Sequence, residues 1–158
     1  MSFEMPNGAT LVVRGSAAVA VPPGFARVDA DGEGRFAAAS PGGAMLSVAP
    51  LDAEGPSPVR VLSALAQGGQ APGGHRWGPV HEGEVNGLPA AMSVSDEGEA
   101  GTRLVALYGL GGWYLVLAAR CPAGDAALGR ALMGAVESVR PLGSPAASRQ
   151  DPGGPATP

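Results

Sequence analysis

The chain has no lysine and no isoleucine, and all ten of its basic residues are arginine. It also has one cysteine, two histidines and seven aromatic residues in 158 positions. Glycine (26) and alanine (29) dominate instead, the composition of a GC-rich coding sequence, so the arginines are not evidence of selection for phosphate recognition. A single cysteine, Cys121, excludes an internal disulfide, and its position before Pro122 at a strand end suits a small half-buried side chain. A net charge of −4 and the lack of a basic patch argue against nucleic-acid binding, which depends on displacing counterions. No apolar run approaches the roughly 20 residues of a membrane span, and the start, Met1 to Gly8, lacks the basic and apolar regions of a signal peptide. A cytoplasmic location is the expectation, with no membrane insertion.

What is present is a series of short apolar segments divided by turns. Residues 9–14 and 17–21 read as strands, as do 25–29, 35–39 and 45–49, separated by Pro and Gly turns in the manner of an antiparallel meander. Ser57 followed by Pro58 announces a helix over 57–67, because proline at the first helical position gives up only an N–H that would have been unpaired. Gly68 and Gly69 stop it. Strands over 77–85 and 88–95 meet at Asn86-Gly87, a favoured hairpin dipeptide. The longest apolar run, Leu104 to Leu117, is interrupted only at Gly109-Leu110-Gly111-Gly112, so strands 102–108 and 113–120 form a second hairpin. Asp125 opens a last helix, 125–139, in which Leu128, Leu132, Val136 and Val139 form one stripe. Residues 143–158 carry four prolines and three glycines with no large apolar residue and read as a disordered tail. One domain, 1–142, is expected, its core drawn from Leu62, Leu65, Leu104, Leu107, Leu115, Leu117, Leu128, Leu132 and Val136.

The chemistry-bearing residues do not converge. Gly109-Leu110-Gly111-Gly112 is followed by a strand rather than the helix a dinucleotide fingerprint requires, and Gly68 to Gly74 lacks the lysine and hydroxyl of a phosphate loop. Glu82 and Glu84 share one face of a strand while His81 points to the other, so the three cannot ligate one ion; His75, in the glycine-rich loop, adds at most one ligand. No Gly-x-Ser-x-Gly elbow exists, and the carboxylates of Asp96-Glu97-Gly98-Glu99 suit a hydrophilic turn. No catalytic residue, metal or cofactor is therefore assigned. Adjacent Trp113 and Tyr114 send one ring to each face of the sheet, and with Trp77 they are the candidate partner-binding residues.

Several of these segments also resemble the Mog1/PsbP-like fold, which includes bacterial DcrB and DUF1795 proteins. The likeness lies in Val21-Pro22-Pro23-Gly24-Phe25, in the helix 57–67, in Val85-Asn86-Gly87-Leu88-Pro89-Ala90, and in a last helix ending Ser138-Val139-Arg140-Pro141-Leu142, and covers about residues 9 to 142. Phe25 stands where many relatives carry tryptophan. The resemblance implies an α+β domain, an antiparallel sheet with two main helices packed on it as an α/β/α sandwich. It also implies a binding protein rather than an enzyme: an adaptor or chaperone acting on another protein, in its most concrete form on an apolar segment of a type VI secretion effector. A homodimer is compatible with this reading. The alternatives are a small-ligand protein or enzyme using His75 or His81, and an immunity protein that neutralises a toxin. The binding surface is expected on an open sheet face or in a groove beside it.

Overall fold

Short β-branched and aromatic stretches between glycine turns can bury one side only by pairing edge to edge, and most of the chain does this. The computed structural model describes residues 9–29, 36–52, 57–67, 78–96 and 98–142. Seven strands form the main sheet: β3 (Ala26–Asp29), β4 (Phe36–Ala39), β5 (Met45–Leu51), β6 (Val80–Val85), β7 (Leu88–Asp96), β8 (Thr102–Gly109) and β9 (Tyr114–Cys121). Their order is β3-β4-β5-β9-β8-β7-β6, with every neighbour antiparallel. After β5 the chain runs through helix α1 (Pro58–Gln67) to the far edge of the sheet and returns as a meander, so that β9 closes against β5 from Met45↔Arg120 to Leu51↔Tyr114. The two hairpins lie where the turn residues place them. Asn86 and Gly87 adopt the positive φ values, 50° and 84°, that a two-residue hairpin turn demands.

Helix α2 (Ala126–Ser138) lies on the opposite face from α1. Leu104, Ala106, Tyr108, Leu115, Leu117 and Ala119 point toward α2, and Val105, Leu107 and Tyr114 toward α1. The strand alternation read from the sequence thus sorts the core into two clusters, one per face. The α+β class holds, with two helices packed on antiparallel sheet. The main sheet has no helix-free face, however, although α1 rests mainly on β6, β7 and β8.

Three details depart from expectation. The first two strands, β1 (Ala9–Val13) and β2 (Ala17–Val21), leave the meander and form a second sheet with β10 (Arg140–Pro141), in the order β1-β2-β10. Small side chains permit this: Ala17, Ala18 and Val19 are fully buried, so β2 can lie directly against α2. The Ser138 hydroxyl then accepts the Ala20 N–H at 2.8 Å, tying β2 to the end of that helix. Second, Leu65 is not core but 46% exposed. Along α1, Pro58, Val61 and Leu62 are buried and Val59 partly so, whereas Ala64 and Leu65 are exposed. Third, Leu128 is half-buried, packed at the margin of the core. The other expected core residues are buried. His75, Trp77 and the tail 143–158 lie outside the described residues.

Candidate functional site

A trough of about 860 Å³ lies between α2 and the end of the main sheet formed by β7, β8 and β9. Its floor is a cross-strand row, Val94–Leu104–Ala119, with Thr102 and Cys121 in the next row. Its wall is one side of α2, from Ala126 to Glu137. The two glycines of the helix, Gly129 and Gly134, lie along this wall and keep it low. Val94 (40% exposed) and Met133 (38%) present large apolar surface to solvent across the opening. Charged and hydroxyl side chains are few: Asp125, Arg130 and Glu137, with Thr102 on the floor.

Both walls are held rigidly. Asp125 caps the N-terminus of α2 by accepting the Leu128 N–H at 3.1 Å. At the other end the last carbonyls of a helix need outside donors. Asn86 of the β6–β7 turn supplies two, donating to the Glu137 carbonyl at 2.9 Å and to the Val139 carbonyl at 2.8 Å. The buried Tyr108 hydroxyl donates to the Val136 carbonyl at 2.8 Å. Burial, with the charge of Glu137 adding to it, pushes the Tyr108 phenol well above its ordinary value, so the group stays a neutral donor. A site framed this way is formed before anything enters it.

Cys121 lies on the trough floor with its Sγ 3.5 Å from the carbonyls of Pro122 and Asp125. Burial and the nearby Asp125 charge raise its pKa, the reverse of what an activated thiolate needs. The thiol is a packing group and a weak donor.

The residues singled out in the sequence fall elsewhere. Tyr114 is buried in the cluster beneath α1. Trp113 is half-buried against the other cluster, with the Arg14 guanidinium 4.8 Å above its ring. Arg14, held at φ 53° in the β1–β2 turn, also makes a bidentate pair with Asp52, both bonds 2.9 Å. This hydrogen bonding holds the Asp52 carboxyl below the usual range. Arg14 thus links the Trp113 ring to Asp52 at the end of β5, and neither ring projects from an open sheet face. His81 is exposed on the edge strand β6, on the opposite face from Glu82 and Glu84 and outside the trough. Asp96 spends its carboxylate on the Gly98 N–H, at 3.0 Å. Among the described residues no group of three histidine, cysteine or acidic side chains could hold a metal, and no helix is long and apolar enough to cross a membrane.

Sequence reasoning passed over the trough because its residues look like ordinary core. One signal was available: two glycines in the helix Ala126–Ser138, each costing roughly 0.5–1 kcal/mol relative to alanine.

No family model matches the chain, and no curated protein matches it. The fold is similar to a crystal structure of a Bacteroides thetaiotaomicron VPI-5482 protein at 1.50 Å resolution, with a TM-score of 0.55 and 12% identity over 90% of this chain. This chain spans 48% of that protein's length. The likeness is one of fold.

Proposed function

We propose that the protein is a noncatalytic binding module that takes an apolar segment of another protein into the trough beside α2. The observation that carries the proposal is the pre-formed floor Val94–Leu104–Ala119 with Met133 at its lip, in a concavity with few charged or hydroxyl side chains. The trough follows α2 from end to end, about 20 Å at 1.5 Å per residue, and is open along its side. An amphipathic helix of some three turns has the dimensions and chemistry to fill it. The resemblance to Mog1/PsbP-like binding proteins points the same way, and a chaperone of a secretion effector is its most specific form. A second reading, a small apolar ligand, rests on the volume, which lies within the usual range of small-molecule sites.

Photo-crosslinking in cells separates the two. A photoreactive residue at Met133 should give one defined protein adduct, absent when the probe replaces Glu82 on β6. Adding Val94→Asp should remove the Met133 adduct without unfolding the domain, because Val94 is already exposed. An unchanged adduct in the Val94→Asp protein would refute the site. A small molecule retained by the purified protein in native mass spectrometry, with no protein adduct, would favour the second reading.

A further inference from the structure

Among the described residues two sheets have four edges, and three of them are blunted. The main sheet ends at β6, whose outward residues include His81, Glu82 and Glu84, and at β3, whose pairing shifts register between Arg27 and Asp29. The small sheet ends on one side at β10, two residues long and half proline. Charge, irregularity, shortness and proline are the usual means by which an edge avoids pairing with another chain. The fourth edge, β1, has none of them. Its sequence is Ala-Thr-Leu-Val-Val, uncharged and free of proline and glycine.

The backbone orientation of β1 follows from its neighbour. Ala20 gives its N–H to Ser138, and the Ser16 carbonyl accepts from Leu142 in the same register that sets Ala18 opposite Arg140 of β10, so Ala18 and Ala20 turn their polar groups away from β1. The pairs Thr10↔Ala20 and Val12↔Ala18 are therefore the non-hydrogen-bonded pairs of the hairpin. It follows that Thr10 and Val12 direct their N–H and C=O groups outward from the sheet. Among the described residues nothing bonds to these groups. Val12 is also the most exposed large apolar side chain in the described structure, at 51%.

The geometry points to β1 as a pairing edge for a second copy of this chain. An antiparallel two-fold through Leu11 places Thr10 opposite Val12 of the other copy, and Val12 opposite its Thr10. Both are then hydrogen-bonded pairs, and each exchanges two backbone bonds. Four bonds form, the two Leu11 side chains meet at the axis, and each exposed Val12 is covered by a threonine. The strand is complementary to itself in this register, as a two-fold contact requires. No like charges face one another, which would oppose pairing along β6. The two small sheets would become one of six strands, an assembly independent of the trough.

Sedimentation velocity on the full chain, from micromolar to millimolar concentration, should show a monomer–dimer equilibrium. Hydrogen exchange should show the Thr10 and Val12 amides gaining protection as concentration rises, while those facing β2 do not change. Val12→Pro removes only an N–H that faces outward and should leave the hairpin folded. It deletes two of the four bonds, so the dissociation constant should rise by about 10- to 100-fold. Val12→Lys, at an exposed position, should weaken the dimer in the same direction and serves if the proline variant does not fold. A monomer at every concentration, a dimer unaffected by Val12→Lys, or a ladder of larger species without a stop at two copies would each overturn the proposal. So would protection of Thr10 and Val12 gained only on adding a foreign extended peptide, which would make the edge a client site.

Discussion

Replacing Tyr108 by phenylalanine tests the link between the sheet and the helix that walls the trough. The Tyr108 side chain is fully buried, and its hydroxyl donates to the Val136 carbonyl at 2.8 Å. That carbonyl is in the last turn of α2, and the amide four residues on, Arg140, belongs to β10, where it pairs with β2. Tyr108→Phe therefore leaves a buried carbonyl unpaired, at a cost of about 1–3 kcal/mol. The ring itself is retained, so no cavity forms. The same group makes a second, opposite forecast at high pH. Burial and the Glu137 charge raise the folded-state pKa above the unfolded value of about 10. Stability from the neutral phenol is fully present below pH 10 and falls as pH rises beyond it, because only the unfolded chain then releases the proton. The loss approaches about 1.4 kcal/mol per pH unit. Phenylalanine has no proton to release, so wild type and variant should converge above pH 10. Urea unfolding at pH 7 and at several values from 10 upward measures both effects, with an unchanged m value as the check that the unfolding transition is the same. Equal stability at pH 7 would refute the hydrogen bond. A gap that stays constant into the alkaline range would refute the burial argument.

Other substitutions probe the remaining parts of the fold. Leu132→Ala should destabilise at the lower end of about 2–5 kcal/mol in urea, because Leu132 is 5% exposed but flanks the trough, where water can enter the space left. Gly101→Ala should cost at least about 1–3 kcal/mol from its φ of 103°. An added Cβ there would also lie 2.0 Å from the Cys121 carbonyl oxygen, so the midpoint should fall well below that of neighbouring surface variants. Gly134→Ala should do the reverse: nothing lies within 4 Å of the added carbon, and the helix should gain about 0.5–1 kcal/mol, read as a higher urea midpoint.

Most of the secondary structure was legible in the sequence because its signals are local. Asn86-Gly87 marks a hairpin through the φ values those two residues adopt, and Ser57-Pro58 and Asp125 mark helix starts through the bonds a helix end lacks. Alternation along β8 and β9 assigned each residue to one of two faces, and the two clusters follow that division. The stripe Leu132–Val136 on the last helix is buried as its period implies. Tertiary structure alone decided the rest, because each remaining outcome depends on what a residue meets from a distant part of the chain. Val94 and Leu104 have the same pattern as any strand pair, yet Val94 is 40% exposed because α2 lies over β2 and β9 and leaves it uncovered. Leu65 continues the stripe of its helix but rises past the surface that buries Leu62. Trp113 is a covered and not a projecting ring because Arg14, ninety-nine positions earlier, arrives over it. Periodicity reports which way a side chain points; only the packed elements determine whether anything is there to receive it.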